Sequence, residues 1–235
     1  MSGLLAYNIE PLDALYRHFN VVKAGYHAGP IEERFVMTLT TLNASRYPSH
    51  CLAVTQTNSP ANSPALMLPV CKDLYRRGFD PNLRWPKEDE PPEISDETED
   101  ATDLPVTIPP LSDDPIKISL PVHPITVPHL VSLPLVLLFG LGLETDIERL
   151  PYRLLPSSVV AEFPAAPAMA EIFAKFPEQQ FERYHMYLKG FWGNILSLGL
   201  KHKRIMEIVS TAWSVASEAR RIRQRQQSGL VPQRR

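Results

Sequence analysis

Residues 177–199 read PEQQFERYHMYLKGFWGNILSLG and residues 203–225 read KRIMEIVSTAWSVASEARRIRQR, and nowhere else in the chain do apolar residues recur at helical spacing for so long without a proline. In the first stretch Phe181, Tyr184, Leu188, Trp192, Ile195 and Leu196 fall at intervals of three and four, which lays them on one stripe of a helix and requires that stripe to be buried. Pro177 suits the first turn, where a missing N–H removes no bond, and Glu178 complements the positive end of the helix dipole. Gly199 is the expected stop. In the second stretch Ile205, Ile208, Val209, Ala212, Trp213, Ala216 and Ile222 form a stripe opposite Lys203, Glu207, Ser210, Ser214 and Glu218. So short a connection predicts an antiparallel helix pair. Trp192 and Trp213 are its largest rings, expected in the core and, in the alternative reading, as interaction residues on a partner-binding surface.

Working upstream, Pro167 opens a helix with Met169, Ile172, Phe173 and Phe176 on its apolar face, and short helical turns at 150–155 and 157–163 are punctuated by Pro151, Pro156 and Pro164. The most apolar run, residues 130–143, is too short for a membrane span, which needs roughly twenty residues, so it reads as a buried helix starting near Pro134. Nearer the N-terminus, residues 11–24 carry Leu12, Leu15, Tyr16, Phe19 and Val22 at helical spacing. A second helix is expected at 30–44, although Thr38, Thr40 and Thr41 would equally suit a strand. Residues 53–63 read as a loop, and Ser63 and Pro64 open a third helix ending at Gly78.

The chain has 24 prolines in 235 residues, concentrated between Ser59 and Pro167. From Lys87 to Asp103, nine of seventeen residues are acidic and one is basic, a run that has too little apolar surface to offset the entropy of ordering it. Prolines then recur among Val, Ile and Leu up to residue 128, giving extended chain with a short edge strand at 116–120. The expected fold class is therefore mainly α: an N-terminal helical segment 1–86, an acidic and proline-rich linker 87–129, a C-terminal helical domain 130–226 and a disordered tail 227–235.

No residue cluster has the spacing that a reaction or a metal requires. Cys51 and Cys71 lack a Cys-x-x-Cys partner or a nearby histidine pair, His123 and His129 lack a carboxylate motif, and no phosphate-binding glycine loop or Gly-x-Ser-x-Gly is present. No cofactor, metal or catalytic residue is expected. With two cysteines and no signal-peptide pattern, an intracellular protein without a membrane span is the expectation. The remaining signal is basic: Arg220, Arg221, Arg223 and Arg225 complement a helix C-terminus, and in the sharper reading they form a nuclear-import or phosphate-binding patch.

The segments LPLVLLFGLGLETD (133–146), RLLP (153–156), EFPAAPAMA (162–170), GFWGNILSLG (190–199) and TAWSVASEARR (211–221) resemble the clampless family of basidiomycete fungal regulators, over roughly residues 131–222. That family is associated with clamp-cell formation and dikaryotic sexual development downstream of the mating-type factors. The resemblance implies a non-catalytic, preferentially nuclear regulator that works through protein–protein contacts, with transcriptional regulators among its partners. It brings no binding residues with it. Two other readings stay open from the residues: a DNA binder using the arginine-rich helix end, and an enzyme.

Overall fold

The computed structural model describes residues 4–5, 9–41, 46–60, 63–80 and 116–229. Helix α1 (Pro11–His18) starts with proline in its first turn, has Asp13 near its positive end and buries Ala14, Leu15 and Tyr16. Then follow β1 (Tyr26–His27), β2 (Arg34–Thr38), β3 (His50–Gln56), β4 (Ala65–Val70), α2 (Lys72–Gly78) and β5 (Lys117–Val127). The strands form one sheet in the order β1-β4-β3-β5-β2, antiparallel throughout except where β3 and β5 run parallel.

This sheet overturns the expectation of a mainly α chain: the fold is α/β. Within the span 30–44 expected to be a helix, residues 34–38 form β2, as Thr38 allowed, and residues 42–44 lie outside the described residues, while the helix expected at 64–78 divides into β4 and α2. The loop expected from residue 53 begins as the second half of β3. Strands β3 and β4 are buried over almost their whole length, so both faces are covered and neither shows the alternation that marks a half-exposed strand. Within the expected linker 87–129, residues 117–127 are β5, which lies between β3 and β2. Its prolines fit the ladder. Val122 donates its N–H to Glu33 and Leu39 donates to Ile116, which puts the intervening pair Arg34 and Pro121 at a non-hydrogen-bonded position of the antiparallel ladder. Pro121 therefore forfeits no bond to β2. The acidic run of the expected linker lies outside the described residues.

The C-terminal half matches its reading more closely: α3 (Leu133–Gly140), a 3-10 turn at Ile147–Arg149, α4 (Leu150–Leu154), α5 (Ser157–Val160), α6 (Ala166–Ala174), α7 (Glu178–Leu198) and α8 (Lys203–Gly229). Helix α3 is buried at every position. Helix α7 ends at Gly199, whose φ of 61° lies in the left-handed region and whose N–H returns to the carbonyl of Ile195. Helix α8 continues through Gly229, so the expected tail starts later than residue 227, and residues 230–235 lie outside the described residues.

The two halves share a single apolar core. Helix α1 packs on α3 and β4, and α7 packs on α3 and β5. Small buried residues, Ala170 and Ala174 on α6 and Ala212, Ala216 and Ala219 on α8, suit the close packing of those two helices. Leu5 and Ile9, ahead of α1, are tied down by polar contacts: Leu5 donates its N–H to buried Glu144 at 2.7 Å, Arg149 donates to the carbonyl of Leu5, and Arg153 to that of Ile9.

Candidate functional site

Residues far apart in the two long helices meet in a consistent order. Glu178 pairs with Arg223, Glu182 with Arg220, and the His185 ring lies 5.4 Å from that of Trp213, so α7 and α8 run antiparallel as expected. Along their seam lies an open groove of about 360 Å³. Helix α8 contributes Trp213, Ser217, Arg220, Arg221 and Gln224, and α7 contributes His185 and Lys189. The α8 residues are spaced by four, three, one and three, which puts them on one face.

His185 forms the groove's inner wall. It is 4% exposed, stacked at 5.9 Å on Phe181, and its Nδ1 stands 3.3 Å from Nη1 of Arg220. A guanidinium can only donate, so Nδ1 accepts and the ring proton is on Nε2. Burial first, then the charge of Arg220, holds this imidazole below its ordinary range, so it is neutral at physiological pH. The groove's charge therefore comes from Lys189, Arg220 and Arg221. Arg220 has Glu182 at 4.0 Å and Arg221 has Glu218 at 3.3 Å, while Lys189 has no ion-pair partner among the described residues. The cations outnumber their acidic partners at an exposed site, where such pairs are weak.

The four arginines expected to act as one patch do different things. Arg223 is turned inward, with its side chain 15% exposed: Nη1 donates to the carbonyls of Ala174 at 2.8 Å and Phe176 at 2.7 Å, its guanidinium lies 4.7 Å over the Phe181 ring, and it pairs with Glu178. It closes the C-terminal end of α6 and ties three helices together. Arg225 is 73% exposed and shares Glu218 with Arg221, outside the groove. Only Arg220 and Arg221 join Trp213. Trp192 is half-buried against the core and takes no part in the groove. Leu196, expected on the buried stripe, is 59% exposed, and His185 and Asn194 lie on the buried face instead.

Two further arrangements were not legible in the sequence. A groove of about 520 Å³ lies between α8 and the α4–α6 segment, walled by Tyr152, Val160, Phe163, Met169 and Ile208, with the Arg204–Glu207 pair in its lining. The second is a buried polar clasp. Asn194, fully buried, accepts the N–H of His129 at 3.0 Å and donates to the carbonyl of His129 at 2.6 Å and to Ser132 Oγ at 3.1 Å. Ser132 Oγ in turn stands 2.9 Å from Nδ1 of His129. Gly190 makes room for this ring, since a Cβ there would come within 2.3 Å of it. The groups of a hydrolase triad are present, but here the hydroxyl and not the imidazole is the middle member, and Ser132 is 0% exposed, so no substrate carbonyl can reach its oxygen. The clasp instead satisfies the backbone where β5 turns into α3 and fixes that corner on α7.

Among the described residues no group of three or more His, Cys, Asp or Glu is placed to hold a metal ion, and no helix is long and apolar enough to cross a membrane. Cys51 is fully buried, and burial pushes its thiol up to about 12, which leaves it without nucleophilic character near neutrality. Compared with protein-family models, curated proteins and solved structures, the chain has no match.

Proposed function

We propose that this chain is a non-catalytic regulator that acts by binding other proteins, with the α7–α8 seam as its contact surface and, following the resemblance of residues 131–222, fungal clamp formation and dikaryotic growth in the nucleus as its setting. The observation that carries the binding surface is the groove itself: a half-buried indole, a lysine with no ion-pair partner among the described residues and two exposed guanidiniums held on the outer side of a helix pair. Aromatic and arginine side chains at such positions dominate the energetics of protein interfaces. Direct DNA binding draws less support, because Arg223 is committed to α6 and Glu218 partly offsets Arg221 and Arg225.

The test is a chain carrying Lys189→Glu and Arg221→Glu, expressed in mating cells beside the unaltered chain. Both side chains are exposed, so abundance and melting temperature should stay as they are while partner association and clamp formation are lost. Normal development with that variant would refute the reading. Tight, salt-sensitive duplex binding that the double variant abolishes would favour DNA instead.

A further inference from the structure

From the geometry of the seam we infer the chemistry of its occupant: an extended peptide segment in which a phosphorylated serine or threonine stands three or four residues from an apolar side chain. This rests on the reading of the seam as a protein-binding surface and adds what that surface selects.

The spacing comes from the helix. Trp213 and Arg220 are seven positions apart, so at ~1.5 Å per residue the indole and the first guanidinium are separated by roughly 10 Å along α8. An extended peptide advances ~3.3 Å per residue, so about three residues span that distance. The apolar end is set by Trp213, whose ring is backed by the neutral His185 and offers a hydrophobic face to the groove. The anionic end is set by Arg220 and Arg221 from α8, with the hydroxyl of Ser217 and the amide of Gln224 as further donors beside them, and Lys189 from α7 adds a third cation to the lining of the same groove.

Charge decides between a carboxylate and a phosphate. Glu182 and Glu218 already take up part of the field of Arg220 and Arg221, so a single carboxylate would replace a pair that is itself weak. A phosphate brings close to two charges and three acceptor oxygens, enough to engage Lys189 and both guanidiniums together. The groove is also short: its α8 residues span eleven positions, roughly 16 Å, which suits about five residues of peptide. A nucleic-acid backbone would need the basic row to continue, yet on this helix the next inward position, Arg223, is closed onto Ala174 and Phe176.

The experiment uses the purified full chain, immobilised, and two degenerate peptide pools that differ only in a central phosphoserine or serine. The phosphoserine pool should be retained at least about tenfold more strongly, in line with one to three new charge-assisted hydrogen bonds. Sequencing the retained peptides should show apolar residues enriched three or four positions to one side of the phosphoserine. Millimolar inorganic phosphate should release them, Lys189→Glu should abolish retention, and Trp213→Phe should weaken the apolar preference while keeping the phosphate dependence. Equal retention of both pools, or phosphoserine retention that Lys189→Glu leaves unchanged, would overturn the inference. If a partner captured from mating cells is lost with Lys189→Glu but held equally before and after phosphatase treatment, the protein-binding reading stands and the phosphate inference falls. If a labelled duplex DNA binds in a Lys189-dependent manner and neither pool does, both fall.

Discussion

Replacing Asn194 with alanine removes three hydrogen bonds at once from a residue that is 0% exposed. The groups left behind are the N–H and carbonyl of His129 and the hydroxyl of Ser132, the last of which retains the imidazole Nδ1 at 2.9 Å. Water cannot simply take the vacated place, because Ser132 is itself fully buried and the neighbouring helix positions Phe191, Ile195 and Leu198 are apolar and closed. At about 1 kcal/mol for each bond lost, and somewhat more for the fully buried Ser132 contact, Asn194→Ala should destabilise the fold by roughly 3–4 kcal/mol. For a chain of this length each kcal/mol moves the melting temperature by roughly 2–4 °C, so a drop of about 6–16 °C is expected. Urea melts followed by far-ultraviolet circular dichroism would give the free energy directly, and an unchanged m-value would show that the variant unfolds from the same native state. A variant within about 1 kcal/mol of the parent would refute the argument, because it would mean that the corner between β5 and α3 holds itself without the clasp.

Arg223→Ala should lose two carbonyl contacts and the stacking on Phe181, about 2–3 kcal/mol in all, whereas Arg221→Ala should stay within about 0.5 kcal/mol; parallel thermal melts compare them. Trp213→Ala removes a half-buried indole, so it should cost about 2 kcal/mol, less than a fully buried tryptophan would, and leave a folded protein that no longer binds its partner; unfolding at room temperature would contradict this. Stability should fall on acidification. Burial holds His18, His123, His129 and His185 below the ordinary imidazole range, so the unfolded chain takes up protons first; their contribution is full above about pH 6.5 and is lost as the pH falls toward the folded values. Melting temperatures at about pH 7.5 and about pH 5 decide it, and an unchanged value would show that these rings are not effectively desolvated.

The helices could be read from the sequence because each buries one stripe and exposes the other, and periodicity records that difference. Phe181, Leu188, Ile195 and Val209, Ala212, Ala216 are all buried where their spacing places them. The strands hid for the opposite reason. In β4 all six residues are buried, so nothing alternates, and Pro69 inside it looks like an interruption until its pairing with Cys51 is known. Strand β5 was legible only at its start, as the short edge strand expected at 116–120; its full length and its interior place were hidden because its partners are distant in sequence and its prolines resemble linker punctuation. In the groove, Trp213, Arg220 and Arg221 stand out in the sequence by chemical type, and the helical repeat groups them on one face. What spacing along one helix does not reveal is which side faces a third element: Arg223 differs from Arg221 only by two positions, and that rotation carries it onto α6. Asn194 gave no signal beyond being a polar residue among apolar neighbours.

The order in which the strands are made differs from the order in which they lie. Thr55 of β3 pairs with Thr126 of β5 across 71 positions of sequence, and among the described strands β5 is the last to leave the ribosome although it lies between two earlier ones. At translation rates of roughly 5–20 residues per second, the β3 edge built from Cys51, Leu52, Ala53 and Val54 waits several seconds for its neighbour while carrying no charge to discourage pairing with another nascent chain. Expression of this protein should therefore depend on chaperone supply more than its finished stability would suggest. A fragment ending near residue 80 should aggregate as it emerges.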